Sequence, residues 1–215
     1  MTVNKIILTP PPEIQEIYFR KKSTFSINEN INKRLFVIDD FYSNPNEVRN
    51  FACSQEYIDG GIGKGFIGTR TKEQFLFSGL KEKFEDIMGR KIREWESHGM
   101  NGRFQYCIAG EPLVYHCDDQ TWAGMLFLTP DAPFECGTSF FAHKKTRARH
   151  SSDPKLTEAF LTGTHLDKTP YQPVDVIGNV FNRLVIFDAH LLHAASEYFG
   201  SNMNNGRLFH IFFFD

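Results

Sequence analysis

The sequence predicts a mainly β protein, a sandwich or jelly roll with flanking helices, and three observations carry that expectation. From Gly102 onward, short apolar and aromatic runs alternate with turn residues: RFQYCIA, LVYHCD, AGMLFLT, GTSFFAH, NRLVIFD, LLHAASEYF and RLFHIFFF. The helix-length segments that a parallel α/β sheet needs between its strands do not separate these runs. Phenylalanine occurs 22 times in 215 residues, and aromatic side chains favour strands.

The elements are expected in the following order. Residues 1–34 are polar and broken by Pro10, Pro11 and Pro12, which suits an extended arm. A single domain over 35–215 follows, with 35–101 as a helical support region and 102–215 as the β core. Leu35 to Phe41 reads as a strand. Ser43, Asn44 and Pro45 then open a helix through about Ser54, with proline in its first turn. After a loop rich in glycine (Gly60, Gly61, Gly63, Gly65), residues 72–89 place Phe75, Leu80, Phe84, Ile87 and Met88 on helical faces that stop at Gly89. The polar stretch from Lys144 to Asn179, with its basic run KKTRARH, interrupts the core as a lid insertion over 144–179.

Charge excludes some partners. Lys and Arg total 24 against 26 Asp and Glu, a net charge of -2, which gives no electrostatic footprint for bulk nucleic-acid or membrane binding. The four cysteines show no CxxC spacing, and the first residues lack the apolar run of a signal peptide. A cytoplasmic protein with reduced thiols is the expectation. No window approaches eighteen uninterrupted apolar residues, so no membrane span is expected.

Chemistry enters at Tyr115-His116-Cys117-Asp118. On a strand, His116 and Asp118 point to the same face, which lets both bind one metal ion. Roughly 0.4 such triplets arise by chance in a chain of this composition, and a second pair, His165 and Asp167, falls in the polar interruption and is read as that chance match. A facial triad needs a third, distant ligand. His190 and His193 follow the run Arg183 to Phe187, and Arg207 opens the last run. The solitary histidines His98, His143, His150, His165 and His210 are read as surface or core residues.

In that order the residues resemble the iron(II)- and 2-oxoglutarate-dependent oxygenases, closest to the prolyl-4-hydroxylase-like branch, over Gly102–Asp215. Tyr106, Gly110, Tyr115, His116 and Asp118 resemble that branch's tyrosine, glycine, tyrosine and HxD run. The turn Glu135-Cys136-Gly137-Thr138 stands where the branch has Gly-Gly-Glu-Thr. The resemblance implies a double-stranded β-helix, a cupin-like jelly roll. It implies iron(II), 2-oxoglutarate as co-substrate and O2, with substrate oxidation coupled to release of succinate and CO2. It also implies metal ligation by His116, Asp118 and a later histidine. His193, just past the turn Asp188-Ala189-His190, is preferred to His190, which stays open.

Arg207 offers a planar fork for the remote carboxylate of 2-oxoglutarate, with Tyr106 and Thr138 as hydrogen-bond donors to the same group. Prolyl 4-hydroxylases carry lysine at the Arg207 position, a departure that argues against a proline substrate. Tyr115, Trp122 and Arg183 are candidate substrate contacts, each with a structural alternative: a core aromatic, a packing residue and an ion-pair partner. The expected activity is hydroxylation of a peptide side chain, amino acid or small metabolite. A nucleic-acid demethylase of the same superfamily and a non-catalytic jelly-roll binding protein are the alternatives. Zinc hydrolysis is disfavoured because no HExxH-type glutamate is present.

Overall fold

The computed structural model describes residues 32–64, 66–162 and 165–215. The expected arm over 1–34, all but its last residues, and Gly65 of the glycine-rich loop lie outside them. The unit Arg34–Asp215 contains β1 (Leu35–Ile38), α1 (Pro45–Cys53), β2 (Tyr57–Gly61), β3 (Phe66–Thr71), α2 (Leu80–Met88), β4 (Arg103–Cys107), β5 (Trp122–Phe127), β6 (Thr138–His143), α3 (Pro154–Thr162), β7 (Tyr171–Ile177), β8 (Leu184–Asp188), β9 (His193–Ala195) and β10 (Arg207–Phe214).

The strands form two antiparallel sheets. The larger runs β1-β8-β5-β10-β4-β3-β2 and the smaller runs β7-β6-β9. β10 shows how the layers assemble. Its sequence RLFHIFFF is apolar at almost every position because both faces are covered, which removes the polar alternation of a half-exposed strand. Phe209 and Ile211 face the smaller sheet, in a cluster with Phe127, Phe140 and Phe187. Leu208, Phe212 and Phe214 face the opposite way, against Phe84, Met88 and Trp95 of the helical side. A third cluster, with Tyr115, Phe141, Leu156 and Tyr171, covers the outside of the smaller sheet.

Several elements differ from expectation for identifiable reasons. β1 stops at Ile38 because Asp40 takes φ 54° and turns the chain. The helix expected over 72–89 forms only from Leu80, since Gly79 adopts φ 85° just before it. Phe75, Leu76 and Phe77 still reach the core from irregular backbone, anchored by Phe75 N–H donating to Gly102 O at 2.7 Å. Of the loop's described glycines, Gly60 and Gly61 end β2 and Gly63 lies in the turn to β3, a strand not expected from the sequence, which pairs with β4. Gly68, at φ 79°, is required there: a Cβ would overlap Tyr106 O and Cys107 Sγ. The segment 144–179, expected as one polar interruption, carries α3 and β7. β7 is an edge strand with a register shift between Pro173 and Asp175; its proline and its place in a polar stretch hid it, although Val174 and Val176 are apolar and exposed.

His210 is buried on the helical side of β10. The Tyr42 hydroxyl donates to its Nδ1 at 3.0 Å and its Nε2–H donates to Gly102 O at 3.0 Å. Burial lowers the ring's pKa from 6.5 to about 3, which keeps it neutral at pH 7. The unfolded chain then binds a proton that the folded one refuses between these values, so stability falls as pH drops from 6.5 towards 3, by up to about 1.4 kcal/mol per pH unit. Urea denaturation at pH 7 and pH 5 should show a smaller acid-side loss for His210→Gln than for the parent chain, although the variant starts less stable. Phe84 is 0% exposed and packs edge-on against Phe41, Trp95, Phe212 and Phe214. Phe84→Ala should cost about 3–5 kcal/mol in the same measurement.

Candidate metal centre

The segment LVYHCD does not form the expected strand. Its successive backbone donors go to three different partners: Tyr115 N–H to His165 O at 2.7 Å, His116 N–H to His193 O at 3.0 Å and Asp118 N–H to Ala189 O at 2.9 Å. No ladder longer than one bridge can form. The bridge is reciprocal, since His193 N–H donates to His116 O at 2.9 Å. It clips His116 beside β9, and β9 is held by β6.

His116 Nε2 lies 3.4 Å from Asp118 Oδ1, and His193 Nε2 lies 3.4 Å from Asp118 Oδ2. The other nitrogen of each ring is committed: His116 Nδ1 meets Val114 O at 3.0 Å and His193 Nδ1 meets Leu191 O at 2.7 Å. A carbonyl only accepts, so each Nδ1 carries a proton; in the neutral ring each Nε2 then turns a lone pair towards the carboxylate, and in the protonated ring Nε2–H donates to it. Three acceptors thus converge within 4.8 Å, an arrangement that calls for a cation between them. Backbone carbonyls on the distal nitrogens are the orienting contacts that metal-binding histidines use. Two imidazoles and one carboxylate form a donor set that suits a borderline divalent metal and leaves other coordination positions open.

The protonation equilibria follow the same geometry. Burial would raise the Asp118 carboxyl, but the His116 and His193 rings hold it far below the usual carboxylate range. Burial would lower His116, yet the hydrogen bond and charge of Asp118 and the Val114 carbonyl more than offset it and raise the ring's pKa. His190 belongs to another group. Its Nδ1 and His150 Nε2 lie 3.4 and 3.3 Å from Asp188, which also pairs with Arg34.

Arg207 is 1% exposed and lines the same cavity of about 790 Å³ as the three acceptors. Its Nε donates to Cys136 O at 3.1 Å, and Nη2 donates to Gly137 O at 3.1 Å and Thr138 Oγ1 at 3.2 Å. Phe127, Tyr198 and Phe209 surround the guanidinium. Among the described residues no carboxylate pairs with it. The turn before Thr138 therefore acts through its carbonyls. Its single glycine is obligatory, because a Cβ at Gly137 would overlap Ile177 O.

Four expected contacts are corrected. Tyr106 points away from the cavity: β4 alternates, so Gln105 and Cys107 face inward while Tyr106 packs against Tyr57 on the helical side. Tyr115 is a core aromatic between Phe141 and Tyr171. Trp122 packs on Phe36 and under Arg90, and Arg183 forms an ion pair with Asp39 at 2.6 Å. None of the four lines the cavity. Conversely, Arg70, Gln105, His98, His165 and Tyr198 do line it. The signal for Arg70 was a lone cation in the short apolar run FIGTRT, but it carries meaning only once that run is known to be a strand.

No protein-family model matches the sequence, and no curated protein does. Solved structures do match. HygX from Streptomyces hygroscopicus, with nickel and 2-oxoglutarate bound, shares 13% identity over 83% of this chain and 81% of that one, at a TM-score of 0.53. SnoN, a non-heme alpha ketoglutarate dependent epimerase from nogalamycin biosynthesis, shares 13% over 83% and 78%, at 0.53. A prolyl hydroxylase from Trichoplax adhaerens, in complex with a hypoxia inducible factor peptide, shares 12% over 84% and 83%, at 0.50. The chain has the jelly-roll fold of these 2-oxoglutarate-dependent enzymes. Among the described residues no helix is long and apolar enough to cross a membrane.

In metal-free protein, Asp118→Asn removes the carboxylate that raises His116, so the ring should titrate at lower pH than in the parent chain. Imidazole resonances followed by NMR through a pH series would read this, and an unmoved His116 titration would contradict the geometry.

Proposed function

We propose that this chain is an iron(II)- and 2-oxoglutarate-dependent oxygenase that hydroxylates a peptide side chain, amino acid or small metabolite. The observation that carries the reading is the convergence of three acceptors, His116 Nε2, Asp118 and His193 Nε2, in one cavity with a buried Arg207 that lacks a carboxylate partner among the described residues. The donor set fits iron(II), and the buried cation fits the remote carboxylate of 2-oxoglutarate. The fold shared with metal- and 2-oxoglutarate-bound HygX supports the same reading.

When loaded, the centre would couple conversion of 2-oxoglutarate and O2 into succinate and CO2 to oxidation of a substrate C–H bond. The chain's own residues position and insulate. The Val114 and Leu191 carbonyls keep protons on the outer nitrogens of His116 and His193, so both inner nitrogens stay free to ligate. Arg207, fixed through Nε by Cys136 O and through Nη2 by Gly137 O, Thr138 Oγ1 and Met125 Sδ, keeps Nη1 without a partner among the described residues for an incoming carboxylate. Phe127, Phe209 and Tyr198 keep water from that guanidinium, which strengthens the ion pair.

Anaerobic protein given iron(II) and 2-oxoglutarate should develop visible charge-transfer absorption. His116→Ala and His193→Ala should abolish it, whereas His190→Ala should retain it, because His190 belongs to the Asp188 cluster. Arg207→Leu should keep metal binding but weaken 2-oxoglutarate by about 30-fold or more, the scale for truncating one partner of a buried charge pair. Absence of the absorption in the parent chain would overturn the reading.

A further inference from the structure

Arg70, on β3, is 8% exposed and lines the cavity that holds His116, Asp118 and Arg207. Its Nε donates to Gln105 Oε1 at 2.7 Å, and its guanidinium stacks 4.3 Å over the Phe66 ring. Neither terminal nitrogen has a hydrogen-bond partner, and no carboxylate forms an ion pair with it, among the described residues. Gln105 is itself fixed by donating to Ile67 O at 2.7 Å, so the side chain that orients Arg70 is rigid and neutral. Arginine is rarely buried without a counter-charge, because removing it from water is costly. Burial and the nearby Arg103 charge lower the pKa of Arg70 to about 10, and the attraction of Asp118, which makes no ion pair with it, and of Cys107 offsets only part of that cost. It remains a cation at neutral pH.

The formal charges of the cavity show what is missing. This step rests on the oxygenase reading above. A divalent metal, Arg70 and Arg207 carry four positive charges, and Asp118 removes one. The dianion 2-oxoglutarate removes two more, held by the metal and Arg207. One positive charge remains, at Arg70. Asp119 also lines the cavity but is exposed, where water screens it, and it makes no ion pair with Arg70.

We propose that Arg70, oriented by Gln105 and Phe66, is the subsite for an anionic oxygen group, carboxylate or phosphate, of the primary substrate. The unpaired fork facing the cavity suits a two-oxygen anion. A neutral substrate would leave the cation uncompensated in every bound state, so the site discriminates against the amide or ester of the same molecule. The hairpin β2–β3 is thereby a specificity element, contributing Arg70 and Phe66 from the larger sheet, whereas His193 lies on β9 of the smaller one.

The test uses protein loaded with zinc(II), which is redox-inert, and with 2-oxoglutarate, titrated calorimetrically with inorganic phosphate and separately with acetate at constant ionic strength. Saturable binding of at least one anion is expected, weakened tenfold or more in Arg70→Met and unchanged in Arg149→Gln, an exposed cation elsewhere. Tighter phosphate assigns a tetrahedral group and tighter acetate a planar one. In anion-free buffer, Arg70→Met should melt no lower than the parent chain, because it removes an uncompensated charge; a purely structural arginine would give a lower melting temperature. Arg70→Gln carries the same binding expectation if Arg70→Met does not fold. Equal binding in the parent and Arg70 variants, or binding of neither anion by the parent, overturns the proposal. Loss of 2-oxoglutarate uptake by the zinc-loaded parent, with Arg70-dependent anion binding intact, would instead remove the oxygenase reading and leave the anion subsite standing.

Discussion

Two hydrogen bonds exchanged by the backbones of His116 and His193 hold the centre together. Each residue lies in a piece of chain too short to be stable alone: His116 in a segment with no ladder, His193 at the start of a three-residue strand. Their pairing fixes the distance between two imidazoles that are far apart in sequence. The adjacent bond from Asp118 N–H to Ala189 O brings the carboxylate between them. Everything else in the smaller sheet braces this clip, with β6 bonded to β9 on one side and Tyr115, Leu192 and Ala194 packed behind it.

The larger sheet contributes rigidity and charge. Because β10 is covered on both faces, its odd-numbered positions point into the space between the sheets and its even-numbered positions into the helical layer. Arg207 falls on the inner side, at the end of the strand where the turn 135–138 leaves carbonyls free to receive it. The same alternation on β4 sends Gln105 and Cys107 inward and Tyr106 outward. This guanidinium is surrounded by three aromatic rings, hydrogen-bonded to backbone carbonyls on one edge, and without a carboxylate partner among the described residues.

The candidate centre was legible in part. His116 and Asp118 stand out because spacing by two on extended chain puts both on one side, and that local rule survives although the segment forms no strand. The rings of His190 and His193 face different sides of the β8–β9 turn, set by the backbone bonds from Asp188, Ala189 and Leu191, so His190 meets Asp188 and His193 meets Asp118. Tyr106, Tyr115, Trp122 and Arg183 carry side chains suited to binding, but residue type does not report direction. Three of them are packed in aromatic clusters and the fourth is paired with Asp39.

The sequence by itself determined the strand-rich core, through short apolar runs and turn residues, and the local HxD pair, because both depend on neighbours within a few positions. Tertiary structure decided the rest. α2 began late because Gly79 took a left-handed conformation, and β7 formed at an edge despite Pro173 and four exposed positions, sustained by backbone pairing to β6. Arg70 became a cavity residue only when the hairpin β2–β3 paired with β4, 35 residues away from its partner Gln105. Pairing between distant segments sets which face of each strand meets the cavity, and a shift of one residue would reverse it.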